Sequence, residues 1–198
     1  MNRACLGLLF AGFAAAAQPA TGVDEPPRRG TWVETSLGVF TAMGGRPTFS
    51  SPQPYLGLTV GRDLGEKAAV FASLALSAAS ASCYQLNSSG DGCLGADSFG
   101  ALFAEGGASY GFPMAVRTLL SLKMVGGFTD FSPAPVQTSG AVRNNAPGFH
   151  LGLGGSIEYA THLDHFAVGI DALYRYTFAR YGLTIPSLAV MPRIRYVF

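Results

Sequence analysis

Ser187-Leu-Ala-Val-Met-Pro-Arg-Ile-Arg-Tyr-Val-Phe198 closes the chain. Leu188, Val190, Ile194, Tyr196 and Phe198 share one parity, and Ala189, Arg193, Arg195 and Val197 share the other. Alternate side chains of a strand point to opposite faces. The segment therefore reads as a strand with one apolar face ending in two aromatics and one face carrying two arginines. A soluble sheet can show the same pattern, so the rest of the chain must decide what the apolar face meets.

Seven earlier segments repeat the alternation. About Thr31 to Met43, Val33, Leu37 and Val39 oppose Glu34, Ser36 and Gly38. About Tyr55 to Arg62, Leu56, Leu58 and Val60 share a face. About Lys67 to Ala78, Val70, Ala72, Leu74 and Leu76 oppose Ser73, Ala75 and Ser77. About Phe99 to Tyr110 is the least regular, with Phe103 and Glu105 on the inner parity. About Arg117 to Phe128, Leu120, Leu122 and Met124 oppose Ser121 and Lys123. The sixth is the clearest, with Phe149, Leu151, Leu153, Ile157 and Tyr159 set against His150, Gly152, Gly154, Ser156 and Glu158. About His165 to Phe178, Phe166, Val168, Ile170, Tyr174 and Tyr176 oppose Asp171 and Arg175.

The connections alternate too. Asp63 to Glu66, Gly111 to Val116 and Ala160 to Asp164 are short, whereas Met43 to Pro54, Ala79 to Ser98, Thr129 to Pro147 and Ala179 to Pro186 are longer and richer in Pro, Ser, Asn and Gly. Only 13% of residues are charged and mean hydropathy is +0.28. Beyond the N-terminus, however, no apolar run reaches the roughly 18 residues of a membrane helix. Apolarity delivered by alternation, with short turns on one side and long loops on the other, predicts an eight-stranded antiparallel transmembrane β-barrel of the outer-membrane type, with short periplasmic turns and long extracellular loops. The 26 glycines suit such strands and turns and suit helices poorly. On this reading Ile194, Tyr196 and Phe198 form the outer-membrane targeting signal. Trp32, Tyr55, Tyr110, Tyr159, Tyr174, Tyr176, Tyr181, Tyr196 and Phe198 are expected to supply the interfacial girdles. An aromatic-rich β-sandwich is the competing fold, and it leaves the apolar outer faces unexplained.

Residues 1–17 read as a signal peptide: Arg3, an uncharged apolar run, then Ala15-Ala16-Ala17 before Gln18. An N-terminal membrane anchor is the alternative, for which the run is short. Residues 18–30 form a Pro- and Arg-containing periplasmic arm, and 31–198 the barrel. The chain has 13 Lys+Arg and 12 Asp+Glu, and Arg3 leaves with the signal, so the mature chain is formally neutral and offers no basic surface for nucleic acid. Cys83 and Cys93 flank a polar, glycine-containing segment. In an exported chain they read as a disulfide closing one loop, the alternative being two free thiols.

The inward parity assigns Glu34, Glu105, Glu158 and Asp171 to the lumen together with Lys123, Arg175, Arg193 and Arg195. Buried charges at membrane depth need partners, so these eight are expected to form a salt-bridged plug; a narrow proton or ion path is the alternative. A hairpin centred on Met114 sets Glu105 opposite Lys123. Closure of the first strand on the last sets Glu34 level with Arg193 and Arg195. Pro192, which donates no backbone hydrogen bond, is expected to leave that closure bulged. No enzyme chemistry emerges. Lipid A deacylases use a lipid-facing His with a Ser two residues on, and here His150 points inward and Gly152 holds the other place. His162 and His165 sit in a turn without the helix that an i, i+3 metal pair needs. Gly152-Leu-Gly-Gly155 lies within a strand and lacks the Lys-Ser/Thr of a phosphate loop. No cofactor, metal or small-molecule substrate is expected.

Gln53 to Gly61, Thr161 to Tyr176 and Ser187 to Phe198, with the Cys83–Cys93 segment and Leu94-Gly-Ala-Asp-Ser-Phe-Gly100 after it, resemble the adventurous gliding motility protein CglE of myxobacteria. The resemblance implies an outer-membrane component of the gliding machinery, working in outer-membrane lipid beside other envelope proteins of a motility complex. The competing function is a general surface barrel, such as an adhesin or small-solute channel.

Overall fold

The computed structural model describes residues 29–43, 50–81, 97–132, 147–163, 165–178 and 184–198, with backbone alone at 50–51, 79–81 and 97–99. The proposed signal peptide, the arm up to Arg28, Tyr181 and the Cys83–Cys93 pair lie outside the described residues.

Eight strands run antiparallel: β1 Thr31–Ala42, β2 Gln53–Leu64, β3 Ala68–Ala81, β4 Asp97–Ala115, β5 Thr118–Ser132, β6 Gly148–Ala160, β7 Phe166–Phe178 and β8 Thr184–Val197. A two-residue ladder at Ser50–Ser51 lengthens the sheet against β3. Each strand pairs with its neighbours in sequence, and β1 pairs with β8, so the sheet closes on itself and no edge is left over most of its length. No helix among the described residues is long and apolar enough to cross a membrane; the strands carry the apolar surface instead. Leu37, Leu58, Leu74, Leu122, Met124, Leu153, Ile170 and Ile194 all stand exposed on the outside.

The inside is the reverse. Glu34, Glu105, Lys123, Asp171, Arg175, Arg193 and Arg195 are buried, as are His150, Thr129 and Ser156. Trp32 and Tyr55, expected in the girdles, are 1% and 2% exposed and fill the lumen. Trp32 shares the even parity of Glu34, and Tyr55 shares the odd parity of Thr59, so alternation decides their direction over aromatic character. Gly61 makes room for Trp32: a Cβ there would lie 2.2 Å from the indole.

Two expectations about register need correction. The β4–β5 hairpin turns at Val116-Arg117, with Ala115 opposite Thr118, and not around Met114. Lys123 therefore lies opposite Ser109, and Glu105 opposite Gly127. The strand continues through Phe112 and Pro113 into what alternation alone marked as turn, because β5 keeps pairing with it. Pro192 causes no slip either. The ladder does break at Pro192, where the pairs of Leu37 with Pro192 and Gly38 with Met191 are missing, but the β1–β8 register is the same on both sides, so the expected bulge is not formed.

Candidate functional site

The chemistry lies in the lumen, in two tiers. The first is near the end where the short turns gather. β1 contributes Glu34, β5 Lys123, β6 Glu158, β7 Asp171, and β8 Arg193 and Arg195. Three acids thus meet three bases. Arg193 is the hub: it pairs with Glu34, with Glu158 at 2.7 Å and with Asp171 at 2.8 Å. Lys123 pairs with Asp171 and lies 3.8 Å from Glu34. Arg195 reaches Glu34 at 3.2 Å and Glu158 at 3.1 Å, and its guanidinium sits 4.1 Å over the Trp32 ring. The cross-strand pair Glu34–Arg195 comes directly from barrel closure.

A funnel of about 580 Å³ opens onto this tier from the turn end, lined by Asp63, Lys67, Arg117, Glu158, His165 and Arg195 among others. Its wall is braced by hydrogen bonds. Trp32 Nε1 donates to Asp63 at 3.1 Å, Arg117 Nη1 donates to the Thr161 carbonyl at 2.9 Å, and His165 Nδ1 lies 2.6 Å from the Val197 carbonyl oxygen. His165 also stacks on Tyr196. Among the described residues, no group of His, Cys, Asp and Glu is arranged to hold a metal.

The second tier lies toward the loop end and centres on Arg175, which is fully buried. Its Nε and Nη2 both donate to Glu105 at 2.8 Å, a bidentate pair, and Nη2 also donates to the Tyr55 hydroxyl at 2.9 Å. Phe103 lies under the guanidinium, 4.6 Å from ring centroid to Cζ. Gly152 leaves the space: a Cβ there would fall 3.2 Å from Arg175 Cγ. Glu105 also meets His150 Nε2 at 3.0 Å, and His150 Nδ1 meets the Thr129 hydroxyl at 2.8 Å.

Beyond Arg175 the lumen turns apolar. Phe40, Phe103, Ala101, Phe131, Ile185 and Ala189 form one buried cluster, with Phe40 and Phe103 rings 5.5 Å apart. Between the tiers remains a void of about 30 Å³ bordered by Glu34, Thr59, Ser73, Lys123 and Arg175, enough for a single water.

All eight charged residues singled out by parity stand in these two tiers, but the pairing differs from the expected one. Glu105 and Lys123 do not pair with each other. Glu105 belongs to Arg175 and His150, while Lys123 belongs to Asp171 and Glu34. Sequence reasoning missed Tyr55, Trp32, Thr129 and the role of His150. Their inward parity was the available signal. The Thr129–His150–Glu105 chain has the connectivity of a nucleophile, base and acid, yet it cannot act as one. Thr129 and His150 are 0% exposed, and Glu105 is already bound by Arg175.

No family model matches the chain, and no curated protein sequence does. Among solved structures, neisserial surface protein A (NspA) aligns with a TM-score of 0.60 at 12% identity, covering 85% of this chain and 97% of that one. Ail, the attachment invasion locus protein of Yersinia pestis, aligns at 0.49 and 13% identity, covering 85% and 100%. The N-terminal β-barrel domain of Pseudomonas aeruginosa OprF aligns at 0.47 and 9%, covering 85% and 98%. The chain thus has the closed eight-stranded antiparallel architecture of the outer-membrane barrels, a likeness of fold.

Proposed function

We propose that this protein is a non-enzymatic outer-membrane barrel with an occluded lumen, acting as an anchor or assembly partner for other envelope proteins. The observation that carries this reading is the filling of the lumen. Two ion-paired tiers and an apolar aromatic seal occupy the bore, so exchange through it has no route, and recognition falls to the loops and the arm. The short turns and both strand termini at one end support a periplasmic placement of that end. A planar-bilayer recording of the folded protein is expected to show no reproducible unitary conductance. A stable open level would overturn the occluded reading.

The particular machinery we assign is that of adventurous gliding, and its support is the segmental resemblance to CglE. A deletion strain should lose single-cell gliding; normal gliding would leave the general surface barrel, the reading favoured by the fold likeness to NspA. The targeting role of Ile194, Tyr196 and Phe198 is part of the same proposal. Removal of Phe198 should lower the assembled fraction in outer membranes without lowering synthesis.

A further inference from the structure

We infer that the periplasmic rim of the barrel is seated within the inner-leaflet phospholipid headgroups, with its turn tips in lipid and Arg62 bound to phosphate. This rests on the membrane-spanning reading above and specifies how deep the barrel sits.

Two observations carry it. The first is the chemistry of the turns. Leu64 at the β2–β3 turn, Met114 and Val116 at the β4–β5 turn, Leu163 at the β6–β7 turn and the terminal Phe198 are all more than half exposed. Turns standing free in water favour polar residues and gain nothing from apolar tips. On two strands the tips continue the lipid-facing row: Tyr110 and Phe112 lead to Met114, and Ile194 and Tyr196 lead to Phe198. Each turn thus sets an exposed apolar residue beside polar neighbours such as Glu66, Lys67 and His162, a mixture that suits the headgroup layer all round the rim, where a protein partner would meet it on one side.

The second observation is Arg62. It is exposed and lies on the outer parity of β2, between Val60 and Leu64 along the strand and beside Thr31 and Val70 on the neighbouring strands. An arginine standing on a lipid-facing surface among aliphatic side chains must extend its head to a phosphate. Arg62 therefore marks the phosphate level. Leu64 lies two residues, about 7 Å of strand, farther toward the periplasm, and its turn still offers leucine. The exposed Lys67 follows on the same turn and can serve a second headgroup. At the neighbouring turn of the rim, Phe112–Ala115 extends past the last β3–β4 pair, Ala68–Tyr110, so this hairpin tip has β5 on one side only. Pro113 lies in that free edge and removes a donor that an added strand would need, which turns the tip away from strand addition and toward lipid.

The test places an environment-sensitive dye at Met114→Cys and Leu163→Cys, in the protein folded into phosphatidylethanolamine–phosphatidylglycerol vesicles, in a background lacking the native cysteines. Glu66→Cys serves as the polar-turn reference and Leu122→Cys as the mid-belt reference. Shallow doxyl lipids should quench the 114 and 163 labels, and iodide in the lumen of the vesicles or outside should quench them less than the label at 66. Iodide access equal to that at 66 overturns the proposal. Shielding from both quenchers also overturns it, because a second copy or another protein then covers the rim. If the 122 label escapes lipid quenching too, the membrane-spanning reading itself fails. For the phosphate contact, Arg62→Gln should reduce the preference for folding into phosphatidylglycerol over phosphatidylcholine vesicles about fivefold, and Arg62→Lys should retain it. An unchanged preference in Arg62→Gln overturns the role of Arg62.

Discussion

The two halves of the lumen solve the same problem differently. At the turn end, six charges share contacts, and two of them, Glu158 and Arg195, reach the water of the funnel. At the loop end, one guanidinium is held by one carboxylate, a phenol and an aromatic face, under an apolar seal. In the open half, a lost partner can be replaced by another ion or by water. In the sealed half it cannot, since an unpaired buried charge has no solvent to turn to. Redundancy and access, more than the number of ion pairs, should therefore set the sensitivity of each tier.

The sharpest break of that contrast is Glu105→Ala. It strands Arg175, and it should cost about 3–5 kcal/mol in urea unfolding from lipid vesicles. A loss below about 1 kcal/mol would show that water enters the loop-end tier, and the contrast would collapse. Next comes the Lys123–Asp171 pair. Lys123→Met and Asp171→Leu should each destabilise, whereas the double substitution should recover much of the loss, with a coupling of about 1–3 kcal/mol in a double-mutant cycle. Additive effects would mean that the pair is not a unit.

Arg195→Ala should be milder, about 1 kcal/mol, because Arg193 still serves Glu34 and Glu158, and the site borders the funnel. Its folded form should lose heat resistance by a few degrees on a gel-shift assay. Unchanged resistance would refute the Glu34–Arg195 clasp across the barrel closure. A similar effect is expected of Trp32→Phe. It keeps the ring under Arg195 and removes the hydrogen bond to Asp63, for about 1 kcal/mol. Equal stability of the two proteins would remove that bond from the account of the funnel wall.

Much of this was legible from alternation. The lumen placement of Glu34, Glu105, Glu158, Asp171, Lys123, Arg175, Arg193 and Arg195 follows from a period of two, and so does the inward direction of Trp32 and Tyr55 once parity is given priority over the habit of placing aromatics at interfaces. What alternation does not carry is register across a hairpin. Shifting the β4–β5 turn from Met114 to Val116-Arg117 moves Lys123 from Glu105 to Ser109. Several of the final ion pairs then form across the bore, between side chains of strands that are not neighbours: Arg175 on β7 with Glu105 on β4, and Lys123 on β5 with Asp171 on β7. Such contacts depend on the radius and stagger of the closed sheet.

By itself the sequence determined which face of each strand is apolar, which charges must be hidden, and that the counts of hidden acids and bases match. These are local properties, since Cβ direction alternates whatever the rest of the chain does. Only the tertiary structure decided that the charges divide into a shared cluster open to the funnel and a sealed Arg175 site. That division exists because closing the sheet brings distant strands within a few ångströms, and because the Phe40–Phe103 cluster covers the loop end while the funnel leaves the turn end open.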